Sequence, residues 1–281
     1  MFFYNYSKPG KGVNKRDPNQ PRWQIFLDIY PRKLWDLFKL NLLYLISALP
    51  FFAVTMVVCG VITSPIIDKA MLSSPDMNFL KYDILLRFAF SFIFMMFVGI
   101  GPATAGFAYI IREYANEHHC NMMSDYFERF KLNFKQSIIL WVIDLIVLYV
   151  FSVAIRFYGE TGKIVFQYIL IVVSVIYVMM HIYIYPMMIT FDLPLKHILK
   201  NSCLIALGKA PMNLLILGLN VLLYIIIPFT AIMHPKSLLA LIVILFLEVF
   251  VFPPITNFIT GFSVITVLNK YVNAEKEKGQ N

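Results

Sequence analysis

Asp144, His181, Asn220 and Glu248 each stand inside a long run of apolar residues. At the centre of a membrane helix an ionisable side chain costs at least ~2.5–3.5 kcal/mol on insertion scales, so each such residue needs a partner or a task. Around His181 the polar residues Ser174, Tyr177 and Tyr185 recur at helical spacing, which puts them on one face that must look inward. The segment GIGPATAG (99–106) adds Gly99, Gly101, Pro102 and Gly106. Pro102 has no N–H and leaves the carbonyl of Val98 free, so the helix is expected to weaken there. Three chemistries fit this set. Asp144 and His181 can pair within a packing network, in which Gly99 and Ala103 serve as a close helix contact. The same residues can line a water-filled substrate path, or they can relay a proton. No Ser-His-Asp order, paired-carboxylate motif or phosphate loop is present, so no enzymatic activity and no cofactor are expected. The cluster His118-His119-Cys120 has no second ligand pair at useful spacing, and no metal site is expected.

The elements that hold these residues follow from composition. The chain of 281 residues is 59% hydrophobic and only 14% charged, and its mean hydropathy is +0.72. A soluble domain carries roughly 25% charged residues, so much of this surface must face lipid. About 20 residues at 1.5 Å rise cross a ~30 Å hydrocarbon core. Six segments are long and apolar enough: 34–59, 84–110, 138–157, 164–190, 212–233 and 237–256. They show no strand alternation, and the backbone must satisfy itself in lipid, so the fold class is all-α, a polytopic transmembrane helix bundle. Residues 1–33 then form a basic tail and interfacial lead-in, 34–272 the membrane domain, and 273–281 a second tail. Residues 1–33 lack a short apolar core and a small-residue cleavage site, so the first span is itself the expected membrane signal. At these boundaries Asp144, His181, Asn220, Glu248 and Pro102 lie in one layer, roughly 9–14 Å from the cytoplasmic ends of their spans.

Orientation follows from Lys and Arg. With the N-terminus inside, all but Lys69, Lys81, Arg87, Arg156, Lys163 and Lys236 of the 24 cations fall on the cytoplasmic side. Both termini are then cytoplasmic, and 60–83 is the longest external loop. The net charge of +8 is accounted for by topology and anionic headgroups, so membrane lipid is an expected partner and nucleic acid is not. Cys59, Cys120 and Cys203 are odd in number and scattered, which argues against a disulfide framework.

Two cytoplasmic segments read as amphipathic helices. In 124–137, Asp125 and Glu128 have capping-box spacing, and Phe127, Phe130 and Phe134 fall on one face. In 191–211, Asp192 is the expected cap and Pro194 suits a first turn, while Gly208 and Pro211 stop the helix. Lys196 and Lys200 lie off its apolar stripe of Leu195, Ile198 and Leu199. Both helices either rest on headgroups or dock a partner.

NLLYLISALP (41–50), GIGPATAG (99–106), FERFKLNFKQS (127–137) and FPPITNFITGFSVITVLNKY (252–271) together resemble the YesL family of bacterial membrane proteins. In that family the Leu-Pro and Gly-Pro-Ala-Thr elements lie closer together than Pro50 and Gly99 do here. The family has no established catalytic residue, and its members often accompany carbohydrate ABC importers. The resemblance implies a cell-membrane protein working beside sugar uptake, with an ABC permease and ATPase as expected partners. Segment 191–211 lacks the Glu-Ala-Ala…Gly loop by which permeases dock their ATPase, so an accessory subunit is expected rather than the permease. The alternatives are a self-sufficient transporter or channel built on the polar layer, and a membrane enzyme acting on lipid-linked sugar.

Overall fold

The computed structural model describes residues 20–73, 79–233 and 238–278. Within them the protein is an all-helical bundle: α1 (Arg22–Ser73), α2 (Phe79–Phe97), α3 (Gly101–Ala115), α4 (Met122–Leu132), α5 (Phe134–Glu160), α6 (Ile164–Met188), α7 (Leu195–Gly208), α8 (Ala210–Val221), α9 (Ile227–Met233), α10 (Leu238–Phe246) and α11 (Phe252–Lys278). Among the described residues, five stretches are long and apolar enough to cross a membrane: Arg22–Lys69, Phe134–Glu160, Ile164–Met188, Ala210–Thr230 and Ile242–Lys270. The pair Asp83–Phe97 and Gly101–Ala115, bent by 43°, makes a sixth if it is one broken span. Exposed Val142, Ile146, Val150 and Val153 on α5 recur at helical spacing as a lipid-facing stripe.

Several elements differ from the sequence expectation. The lead-in before residue 34 and the first span are one helix of 52 residues, with Pro31, Pro50 and Pro65 inside it. Pro65 leaves the carbonyl of Val61 without its helical donor, and the Ser64 hydroxyl donates to it at 3.1 Å. The last span, expected over 237–256, does not stop there. Instead the helix runs on to Lys278, and its most buried stretch, with Phe258, Val264 and Leu268, lies beyond that boundary. Pro102 is not a flaw inside a helix. The backbone turns at Gly99 (φ +94°) and Gly101 (φ +49°), a region favourable only to glycine, and Pro102 sits in the first turn of α3, where no N–H is needed. Thr104 Oγ1 accepts from the Ile100 N–H at 2.7 Å and closes the new helix start. Gly106 does not belong to the break: a Cβ there would stand 2.9 Å from the Tyr126 carbonyl oxygen, so it lets α4 lie against α3.

The caps of α4 and α7 also shift. α4 is capped by Asn121, whose side chain accepts from Ser124 N at 3.4 Å, while Asp125 reaches back to accept from Asn121 N at 2.9 Å. The box is present, with Asp125 as its reciprocal member rather than the cap. α7 starts at Leu195 after Pro194, leaving Asp192 outside, and Pro211 opens α8 instead of ending α7.

Both later spans contain a π-helical turn, Leu222–Ile226 before α9 and Leu247–Val251 before α11. Each ends two residues before a proline, Pro228 and Pro253. In the second, the carbonyl of Val249 faces Pro253 at the α spacing and Pro254 at the π spacing, and neither has an N–H. The buried Asn41 of α1 supplies the missing donor, its Nδ2 lying 3.0 Å from that oxygen.

Candidate functional site

Asp144 on α5 and His181 on α6 meet inside the bundle. Their side chains have no exposed surface, and His181 Nε2 stands 3.2 Å from Asp144 Oδ1. The ring sits at ion-pair distance but is not aligned as a hydrogen bond. Tyr177, one helical turn before His181, donates its hydroxyl to the same Oδ1 at 2.6 Å. The Tyr177 and His181 rings lie 4.9 Å apart and 64° inclined. Three polar atoms of this cluster have no hydrogen-bond partner: Asp144 Oδ2 and both ring nitrogens of His181.

His181 is also among the residues lining a cavity of about 110 Å³ between α1, α2, α3, α6, α8 and α11. The polar part of the wall comes from Tyr44, Thr104, Tyr185, Asn220, Asn257 and Thr260, and Gly99 contributes bare backbone. Tyr44 reaches Thr104 Oγ1 at 3.3 Å, and Asn220 donates to Ile216 O on its own helix at 2.9 Å. The Tyr185 hydroxyl is buried without a partner. The glycine break therefore does adjoin the ionisable layer, through the cavity and not through the carbonyl that Pro102 frees.

Glu248 does not join this group. It is buried, 4% exposed, in the second π turn, it is absent from the cavity wall, and its Oε1 has no partner. It acts electrostatically on Tyr224, whose hydroxyl lies 2.7 Å from Thr256 Oγ1, and the adjoining Val249 carbonyl accepts from Asn41. The single layer drawn from span boundaries is two sites.

The phenylalanine face is likewise divided. Phe127 and Phe134 are exposed, Phe134 on α5 rather than α4. Phe130 turns inward against Phe51 and Tyr126. Lys196 and Lys200 are exposed on α7.

Sequence reasoning missed Tyr126. It is fully buried, donates to Ala103 O at 3.0 Å and pairs with Ser47 Oγ at 2.6 Å, tying α4 to α3 and α1. Burial pushes its hydroxyl well above the ordinary tyrosine range. Also missed was the clamp at the end of α3. Arg112 bonds Glu113 Oε1 at 2.8 Å and the Ile189 carbonyl at 3.0 Å, and Glu113 Oε2 meets His118 Nδ1 at 2.8 Å. Arg32 of α1 reaches Glu117 at 2.5 Å, and Gln136 Nε2 donates to Leu193 O at 3.0 Å. These contacts gather Arg32, Arg112, α4 and the start of α7 at one end of the bundle. Lys69 and Glu160, 2.8 Å apart, join α1 and α5 at the other.

Fold and site together describe a multi-pass helical membrane protein with a desolvated Asp–His–Tyr cluster beside a small polar cavity. Residues 83–155 match a family model described as a protein of unknown function, DUF624. That match covers less than half of the chain. It includes the glycine break, Tyr126 and Asp144, and leaves out His181, Tyr177 and the α8 and α11 walls of the cavity. No curated protein and no solved structure matches the chain.

Proposed function

We propose that this chain is a non-enzymatic membrane subunit that assists a bacterial carbohydrate ABC importer, docking its partners at the end of the bundle that carries α4 and α7. One observation carries the reading. Met123, Phe127, Leu132 and Phe134 stand exposed at that end, among the exposed cations Lys131, Lys135, Lys196 and Lys200. Aromatic and methionine side chains amid basic residues suit a protein partner with apolar and acidic surface. The Lys and Arg excess makes this end cytoplasmic, where an importer carries its ATPase. The link to carbohydrate uptake comes from the resemblance to the YesL family. Transport through the bundle itself is less well supported. The cavity beside His181, about 110 Å³, falls below the roughly 300–1,000 Å³ of ordinary ligand pockets.

The test leaves the inward-facing Phe130 untouched. Phe127→Ser with Phe134→Ser should release importer subunits that co-purify with the wild-type protein in mild detergent, while the variant stays monodisperse. Full retention of those subunits means that the face only rests on lipid.

A further inference from the structure

We propose that Asp144 and His181 form a reversible proton-binding site within the membrane, with the adjoining cavity as its water port. This goes beyond the docking reading and does not depend on it. Four observations converge. The two side chains are fully enclosed and 3.2 Å apart. The Tyr177 hydroxyl meets Asp144 Oδ1 at 2.6 Å, a length typical of a bond to an ionised carboxylate. His181 brings Nε2 within ion-pair distance of that carboxylate, and neither of its buried ring nitrogens has a hydrogen-bond partner. The cavity that His181 lines has room for several waters and carries amide and hydroxyl groups to hold them, from Asn220, Asn257 and Thr260.

The proton balance is simple. With Nε2–H toward Asp144, Nδ1 is the basic nitrogen. A hydronium ion in the cavity gives its proton to Nδ1, a water molecule is left behind, and the pair passes from net charge −1 to zero. Release to cavity water reverses the step. Enclosure in apolar surroundings favours the neutral sum of an imidazolium beside a carboxylate over a lone carboxylate. The groups facing His181 set no competing charge. Asp144 comes from α5, Tyr177 and Tyr185 from its own helix and Tyr44 from α1, while α3, α8 and α11 present only Thr104, Asn220, Asn257 and Thr260 among their polar side chains.

The experiment is solid-state NMR of the full-length protein in liposomes, with histidine rings labelled with nitrogen-15. The His181 signals are those lost in His181→Gln. The expected result is a doubly protonated ring at pH 8, with rapid magnetisation transfer from water to Nδ1. Asp144→Asn, which keeps the side-chain shape, should return the ring to its neutral form. A wild-type ring that stays neutral from pH 5 to 9 overturns the proposal. So does a protonated ring that receives nothing from water, or one that stays protonated at pH 8 in Asp144→Asn.

Discussion

Asn41 illustrates how little of a buried polar residue's role is visible from its own neighbourhood in sequence. It reads as one polar residue in the run NLLYLI, yet it answers a carbonyl that two prolines orphan far along the chain. Asn41→Leu leaves Val249 O unpaired in a dry interior, which costs about 1–3 kcal/mol. A lower unfolding temperature in detergent is the expected outcome. Pro253→Ala in that background restores an N–H at the helical spacing and should recover part of the loss. If the double variant is no more stable than the single, the carbonyl is not the cause. The Asp144–His181 contact was legible in advance because each was expensive alone and spacing put both in one layer. Glu248 was misassigned because depth along a span says nothing about rotation around it. Which residue accepts or donates across helices depends on those rotations, and Tyr126 and Asn41 were hidden for that reason.

Close contact between helices is governed by a few positions without side chains. On α11, a Cβ at Gly261 would run into Ile111 Cγ2 of α3. Overpacking of this kind typically costs 1–3 kcal/mol, so Gly261→Ala should lower the unfolding temperature. Ile111→Ala removes the obstructing methyl and is itself destabilising, by about 2–5 kcal/mol for a buried isoleucine. The two changes should then couple: Gly261→Ala added to Ile111→Ala is expected to cost almost nothing further. Additive losses would mean that α3 and α11 do not touch there. Element types were readable from apolar run length, and element ends were not. Pro211 reads as a helix stop but opens α8, and Pro253, inside the last expected span, is absorbed by a π turn and a side-chain donor. Similarly, Asp125 has the chemistry of a cap, yet Asn121 stands where the backbone first turns and takes that role.

For the molecule as a whole, the arrangement of ends is the testable quantity. Arg32, Arg112 and α4 lie at one end and Lys69 and Glu160 at the other, and the cation bias predicts that the first end is cytoplasmic. Both tails figured in the sequence expectation, and 1–19 and 279–281 lie outside the described residues. Cys120 reports on the inner end. In a Cys203→Ala background an impermeant maleimide should miss Cys120 in intact cells and reach it in inside-out vesicles. Thr161→Cys, on the exposed turn between α5 and α6, should behave in the opposite way. Burial, followed by the nearby Asp125 carboxylate, raises the Cys120 thiol above its ordinary range. Its labelling should therefore be slow near neutrality and keep accelerating at alkaline pH after a free thiol has levelled off. External labelling of Cys120 in intact cells would reverse the topology.

The π turn at Leu247–Val251 has a consequence for chain length. Such a turn is an α-helix carrying one surplus residue. Removing one residue from an ordinary helix rotates everything beyond it by about 100°, so Phe258 and Leu268 would swing out of their packing. Deletion of Val251 instead absorbs the surplus and leaves α10 and α11 in phase. A single-residue deletion there should yield folded, monodisperse protein, whereas deletion of Ile244, earlier in α10, should not. The midpoint of a membrane helix, ordinarily its least forgiving stretch, would thus be this span's natural place to shorten.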